Sequence, residues 1–232
     1  MAPTGRFWQT PGVFARSLFV LTLGALAACK ASSASTPPTG TAGSEPAAPI
    51  DALGILQALE ADIEAGTASE KDRERAYETV SGAKDDGTAD YAFARAALAG
   101  RVAELRGVGA GKLVTEAETF ARLALEREPE YDEGAATRML GTLYVMAPGR
   151  LVDHGDAEDG LTMLEDLVEA RPDDPRNHLR VAEAYIAMDD PDPAIEFLCF
   201  AHGHRDSLRK DDQALLDTLS ETFGGKSGLA CD

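Results

Sequence analysis

The residues whose types could do chemistry in this 232-residue chain are its three cysteines and four histidines. One cluster, Cys199-x-x-His202-x-His204, has a spacing that metal ligands can use. Neither a second cysteine nor an acidic residue lies at matching spacing nearby, so we predict no metal site. The sequence also lacks a recognisable nucleophile elbow or pair of catalytic carboxylates. We therefore predict a binding protein without a cofactor. A metal-dependent enzyme is the alternative, which tightly bound zinc would favour.

Another cysteine, Cys29, follows a sequence that is typical of an export signal. Residues 1–28 contain two basic residues, Arg6 and Arg16, no acidic residue, and an apolar run too short for an ordinary membrane span. The run ends in Leu26-Ala-Ala-Cys29, which resembles the bacterial lipoprotein processing site. We predict that residues 1–28 are a lipoprotein signal peptide and that Cys29 is lipidated. A signal anchor that contains a chance cysteine is the alternative.

Lipidation of Cys29 would leave two thiols, Cys199 and Cys231, in an oxidising compartment. A final helix antiparallel to the helix of Cys199 would return the chain to within reach of it. We therefore predict a disulfide between Cys199 and Cys231. In the chain-entropy model, closing a loop of this length stabilises the fold by roughly 3 to 4 kcal/mol.

Residues 29–49 have the composition of a flexible tether. After Cys29, the segment consists mostly of Ala, Ser, Thr, Pro and Gly, which cannot bury enough apolar surface to fold. A flexible chain of this length spans about 25 Å, so it would hold a domain near a membrane surface. Lys30 replaces the aspartate that resembles an inner-membrane retention signal. We therefore expect a lipid-anchored protein on the periplasmic side of the outer membrane.

The charge of the chain is strongly acidic, with 40 acidic and 22 basic residues and a net charge of −18. Cleavage before Cys29 would remove two basic residues and no acidic ones. Such a surface repels phosphate backbones and anionic lipid headgroups. We predict no nucleic acid partner and a membrane contact made by the lipid anchor alone.

Small and apolar residues recur after Pro175 with the spacing of the tetratricopeptide repeat (TPR), a pair of antiparallel helices. The small residues would allow the two helices to approach closely, and the larger ones would fill the remaining gap. These residues are Val181, Ala182, Tyr185, Ala194, Leu198 and Ala201.

A second copy of the pattern precedes the first one. Leu140, Gly141 and Tyr144 fit its first helix, and Gly160 fits its second. The two helices are too far apart in sequence for a standard repeat, so residues 147–156 contain an insertion of about seven residues. We predict that residues 50–232 form an all-α, TPR-like solenoid of about nine antiparallel helices.

Local patterns predict where several of these helices begin. Thr115-x-x-Glu118 matches a capping box, which would open a helix at Glu116. Asp132 and Asp156 are placed to cap the next two helices. The doublets Asp173-Asp174 and Asp189-Asp190 also precede helices, so we interpret them as caps that complement the helix dipole rather than as calcium ligands.

The run at residues 121–144, Ala147-Pro-Gly149 and His154-Gly-Asp156 together resemble the TRAP-transporter T-component family of periplasmic TPR lipoproteins. The resemblance covers roughly residues 89–201. It implies an accessory role beside the solute-binding protein of a tripartite transporter and the handling of a small, often hydrophobic ligand. One departure is His154, which stands where the family has glycine.

The binding groove is expected along the first helices of the repeats and the inserted loop. Its candidate residues are Arg138, Tyr144, His154, His178 and Arg180. We expect the two arginines and His178 to face outward, where they could bind an acidic partner segment or a ligand carboxylate. The alternative is that the arginines only balance neighbouring helix acids.

These observations predict an accessory component of a TRAP-type transporter that binds a ligand or a partner protein. The partner would be a periplasmic solute-binding protein or another envelope protein. A structural envelope scaffold that binds proteins through its TPR groove is the alternative function.

Lipidation can be tested at Cys29. We expect Cys29→Ser to release the protein from the membrane fraction or to stall removal of residues 1–28, because no other side chain there can carry a thioether lipid. Fractionation and the mass of the mature chain provide the measurement. Normal processing with continued need for detergent would contradict the prediction.

Overall fold

The structure is a computed structural model that describes residues 50–229 and 231. The predicted signal peptide (residues 1–28), the lipidation of Cys29 and the tether (residues 29–49) lie outside the described residues. None of the described helices is both long and apolar enough to span a bilayer.

The described residues form nine α-helices, joined by short turns and 3-10 segments, and no β-strand. The prediction of an all-α fold is confirmed. In chain order the helices are α1 (Ala52–Ala65), α2 (Glu70–Ser81), α3 (Ala89–Arg106), α4 (Gly111–Arg127), α5 (Tyr131–Met146), α6 (Ala157–Ala170), α7 (Pro175–Ala187), α8 (Ala194–Gly203) and α9 (Lys210–Ser220).

Neighbouring helices pack as antiparallel pairs that stack on one another. Helices α3 and α4, α5 and α6, and α7 and α8 form the pairs, while α1 and α2 pack against α3. Helix α5 also contacts both α3 and α7, so the first helices of the pairs lie side by side. We call the surface formed by α3, α5 and α7 the inner surface. Helix α9 packs on α7 and α8 and covers the end of the array.

Helices α5 and α6 approach each other closely at Gly141 and Gly160. A Cβ atom on Gly160 would lie 2.6 Å from the carbonyl oxygen of Gly141, and one on Gly141 would lie 3.0 Å from that of Gly160. The first distance is too short for a Cβ atom, and the second leaves room for one only if the surrounding atoms move. The repeat pattern predicted this close packing of small residues, which lets Leu164 fill the core beside them.

The predicted capping box at Thr115 and Glu118 is wrong. Helix α4 begins at Gly111, one turn earlier, so Thr115 lies inside the helix. Its hydroxyl donates to the carbonyl oxygens of Gly111 and Leu151, at 3.3 and 3.1 Å. The pattern misled because an i, i+3 pair of this type also suits two side chains that bond to a distant loop.

Two other predicted caps are wrong as well. The buried Tyr131 is followed by a stretch of left-handed backbone, with φ of 43° at Asp132 and 86° at Gly134. Asp132 lies within this stretch and does not cap a helix. Helix α8 follows Pro193 without any side-chain cap, so the doublet Asp189-Asp190 serves no such role. The predicted cap at Asp156 is confirmed, because its carboxylate accepts from the backbone N–H groups of residues 158 and 159, both at 3.0 Å.

A disulfide joins Cys199 in α8 to Cys231. The two Cα atoms are 5.5 Å apart, and the bond closes a loop with a sequence separation of 32. It holds the end of the chain against the cluster formed by α7, α8 and α9, where Leu229 is also buried.

Two glycine substitutions should change stability in opposite directions. Gly160→Ala should destabilise the fold by about 1–3 kcal/mol, because the new methyl group overlaps the backbone of α5. Gly100→Ala should stabilise it by about 0.5–1 kcal/mol, since its Cβ meets nothing within 4 Å in the middle of α3. Urea unfolding of both variants is the measurement. A Gly160→Ala variant as stable as Gly100→Ala would contradict the close approach of α5 and α6.

Candidate functional site

The inserted loop between α5 and α6 is fixed by the carboxylate of Glu118. This side chain projects from α4 and is 1% exposed. Its two oxygens accept from the backbone N–H groups of Asp153 and His154, both at 2.9 Å. The Nδ1 atom of His154 lies a further 3.2 Å from one of these oxygens. Together with the buried Val152, these bonds hold the loop against α4.

The role of Glu118 was not predicted from the sequence, although a signal for it exists. Ala117, Ala121 and Ala124 form the buried stripe of α4, and Glu118 lies beside this stripe. An acidic residue on the buried face of a helix must have hydrogen-bond donors, because an unpaired buried carboxylate is costly. The sequence could therefore have indicated a distant partner for Glu118, without saying which one.

The loop closes one end of an open groove between α4 and α6, which we call the outer groove. The groove has a volume of about 950 Å³. Its floor is formed by buried side chains of α5, and its rims carry exposed polar side chains. The lining residues are Thr119, Arg122, Leu123, Leu125, Glu126, Leu140, Tyr144, His154, Asp159, Thr162 and Met163.

Tyr144 connects the floor of the outer groove to the loop. The ring occupies the space that a Cβ atom on Gly155 would need, so the loop can pass over Tyr144 only with glycine there. Burial raises the pKa of Tyr144, whose hydroxyl lies 3.5 Å from Nη1 of Arg122. Tyr144 and His154 are thus the two predicted groove residues that lie together in this groove.

The expectation that Arg138 and Arg180 face outward is wrong. The side chain of Arg138 is 12% exposed, and its Nη1 donates to Oδ1 of Asn177 at 2.6 Å. Arg180 donates to Glu183 at 2.8 Å and to Asp212 at 2.6 Å. Acidic and amide groups of α7 and α9 therefore hold both arginines, as in the alternative interpretation of the sequence.

His178 is also not an outward-facing groove residue. It is 9% exposed, its Nε2 lies 2.7 Å from the carbonyl oxygen of Pro172, and its ring stacks on Phe200 with centroids 3.8 Å apart. Burial lowers its pKa, so its neutral form is favoured. His204 stacks on Phe200 as well, at 4.2 Å.

The spacing Cys199-x-x-His202-x-His204 does not assemble into a ligand set. Cys199 is bonded to Cys231, and Nε2 of His202 lies 2.8 Å from the hydroxyl of Ser220. Within residues 50–229 and 231, no group of three or more His, Cys, Asp or Glu side chains is arranged to hold a metal ion.

Comparison with protein families agrees with the stacked pairs. A tetratricopeptide repeat model matches residues 151–198. The chain therefore contains a tetratricopeptide repeat. The match begins in the inserted loop and covers α6, α7 and half of α8. No match was found among curated protein sequences. A repeat of this kind is typical of proteins that bind other proteins.

The contact between Glu118 and the loop can be tested by Glu118→Gln. The amide would leave at least one loop N–H without its acceptor, which should cost about 1–3 kcal/mol. We expect faster hydrogen exchange at Asp153 and His154 and a lower melting temperature. Glu126→Gln, an exposed change on the same helix, is the matched control. Wild-type exchange rates in the loop of Glu118→Gln would refute the anchoring role.

Proposed function

We propose that this protein is a lipid-anchored periplasmic accessory protein that binds the solute-binding protein of a TRAP-type transporter through its outer groove. The observation that carries the proposal is the loop held by Glu118, because it turns a junction between stacked helices into a groove. The loop coincides with the Ala147-Pro-Gly149 and His154-Gly-Asp156 segments on which the resemblance to the T-component family rests.

The shape of the outer groove favours a protein segment over a small ligand. Sites for small molecules bury most of the ligand, about 70–90% of its surface. Here the lining side chains Thr119, Arg122, Glu126 and Thr162 are exposed along both rims, so a small molecule would stay open to water on one side. A small hydrophobic ligand or a carboxylate is the alternative occupant.

An amphipathic helix fits the chemistry of this groove. Residues 119–126 of α4 form two turns, which extend for about 10 Å along the groove. The apolar face of a helix could contact Leu140, Tyr144 and Met163, and its polar flanks could reach the rims. Because Arg122 and Glu126 lie on one rim and Asp159 on the other, the groove offers charged partners of both signs to the polar flanks of a segment.

A structural envelope scaffold is the second candidate function. The tetratricopeptide match supports protein binding without specifying a transporter, and it covers residues 151–198 only. The two candidates share the groove and differ in the partner. Identification of the bound protein therefore separates them.

The groove can be blocked by a double substitution, Thr119→Arg with Thr162→Arg. Both threonines are exposed, lie on opposite rims and bond to the carbonyl four residues earlier in their own helix. We expect the long side chains to abolish capture of the solute-binding protein by detergent-solubilised protein, with capture followed by mass spectrometry. The matched control is Thr79→Arg with Thr218→Arg, which changes two exposed threonines with the same backbone bond outside the groove.

The outcomes separate the candidates. Loss of a solute-binding protein with the groove variant alone supports the proposal. Loss of a different envelope protein supports the scaffold instead. Equal capture by the groove variant and its control would exclude the outer groove as the binding surface.

A further inference from the structure

The first turn of α9 lies across the inner surface. Asp211 accepts a hydrogen bond from Nη2 of Arg101 in α3, at 3.1 Å. Its neighbour Asp212 accepts from Nη2 of Arg180 in α7, at 2.6 Å. Helix α5 lies between α3 and α7. Two adjacent aspartates therefore bridge the two helices that flank α5.

Between these two contacts lies Arg138 of α5, which is incompletely neutralised. Its nearest carboxylate is Asp174, at 3.5 Å, and Asp174 is held more closely by Arg176, at 2.7 Å. Burial and the positive charges of Arg176 and Arg180 lower the pKa of Arg138 to about 10. Arg101, Arg138 and Arg180, one on each first helix, form what we call the arginine row.

A neighbouring side chain also has a free donor. Asn177 is 0% exposed and accepts from Arg138 through Oδ1. Its Nδ2 group has no hydrogen-bond partner within the described part of the chain. Buried amide donors normally have an acceptor, so this Nδ2 group is a donor beside Arg138 that the described part of the fold leaves unused.

The arginine row is unusual in a chain with a net charge of −18. The groups that neutralise Arg101 and Arg180 include side chains from the far end of the chain, with a sequence separation of 110 between Arg101 and Asp211. Although burial raises the pKa of Asp211, Arg209 and Arg101 lower it overall, so its carboxylate is charged at neutral pH. Carboxylates are the groups that the planar guanidinium fork binds best.

We propose that the inner surface is a binding site for an acidic peptide segment, and that Asp211 and Asp212 occupy this site in the free protein. The chain's own aspartates act as a competing ligand for the arginine row. A partner segment with consecutive carboxylates binds when the first turn of α9, residues 210–213, moves away.

The attachment of α9 allows the first turn to unwind while the rest of the helix stays folded. Its second half is held by Leu216 and Leu219, which are buried with Leu198 and Leu208 of the preceding segments. The disulfide between Cys199 and Cys231 also holds the chain beyond α9. The first turn contributes no residue to that apolar cluster.

Polar contacts hold the first turn in place. Besides the two aspartates, the backbone N–H of Lys210 donates to the carboxylate of Glu64 at 2.9 Å, and Arg209 pairs with Glu60 of α1 at 2.5 Å. The side chains of Arg209 and Glu64 are each 38% exposed, so salt weakens their contribution. A partner carboxylate therefore competes with ionic contacts and leaves the apolar core intact.

The test uses Asp211→Asn with Asp212→Asn and a fluorescein-labelled hexa-aspartate peptide as the probe. We expect fluorescence anisotropy to give at least tenfold tighter binding than for the wild-type protein, because the two carboxylates that α9 places on the arginine row are gone, while Glu60 and Glu183 remain on Arg101 and Arg180. The matched control, Asp189→Asn with Asp190→Asn, removes the same charges from an exposed doublet outside the inner surface. Addition of Arg101→Gln and Arg180→Gln to the first variant should remove the gain.

A second measurement uses the wild-type protein and is independent of the folding of any variant. Saturating hexa-aspartate should accelerate hydrogen exchange of the backbone N–H groups of residues 214–217, because in an α-helix these bond to the carbonyl oxygens of residues 210–213. Residues 218–220 should stay protected. Unchanged exchange at residues 214–217 would overturn the proposal. A gain in affinity that is the same for both Asp→Asn variants would also overturn it, because it would reflect net charge only.

This inference does not rest on the outer groove. Capture of a solute-binding protein tests the outer groove, whereas the peptide titration tests the inner surface. Either result can be negative without affecting the other.

Discussion

The outer groove depends on one buried carboxylate. The inserted loop at residues 147–156 could project into solvent, and the space between α4 and α6 would then be open at both ends. Glu118 prevents this because a carboxylate without donors at 1% exposure would be strongly unfavourable, and the nearest donors are the N–H groups of Asp153 and His154. The loop is therefore held in place because the buried carboxylate of Glu118 requires hydrogen-bond donors. The position of His154 and the passage of Gly155 over Tyr144 follow from that contact.

The inner surface is organised by the pairing of arginines rather than by apolar contact. In an acidic chain, each buried guanidinium has many candidate partners, so its position selects which acids approach it. Arg101 binds Glu60 of α1 with two bonds of 2.8 Å and also Asp211 of α9. This set of contacts joins the first and last described helices across the array. Buried ion pairs of this kind specify an arrangement even where they add little net stability.

The sequence predicted those parts of the fold that depend on near neighbours. The small residues at Gly141, Gly160, Ala182 and Ala194 are spaced for close helix contact, and that spacing identifies the antiparallel pairs. Thr115 and Glu118 were misassigned because their pattern fits both a local cap and contacts with a loop. The sequence separation between Glu118 and His154 is 36, which no local pattern can detect.

The orientation of the arginines could not be predicted for the same reason. Helical periodicity places Arg138 and Leu140 about 200° apart around α5, so one of them must face away from the core of the pair. Periodicity cannot tell whether that other face meets solvent or another helix. The orientation of the two arginines depends on distant partners: Oδ1 of Asn177 accepts from Arg138, and Asp212 pairs with Arg180.

Helix α5 separates the outer groove from the inner surface. Leu140 and Tyr144 lie one turn apart on the side of the outer groove, whereas Arg138 lies on the inner surface. The backbone contact between Gly141 and Gly160 leaves no flexible side chain between α5 and α6 at this position. Rotation of α5 would separate these backbones or make them overlap. The packing of α5 on α6 therefore resists this rotation, which is the motion that would couple the outer groove to the inner surface. The same glycines that permit close packing therefore favour independent behaviour of the two proposed binding surfaces.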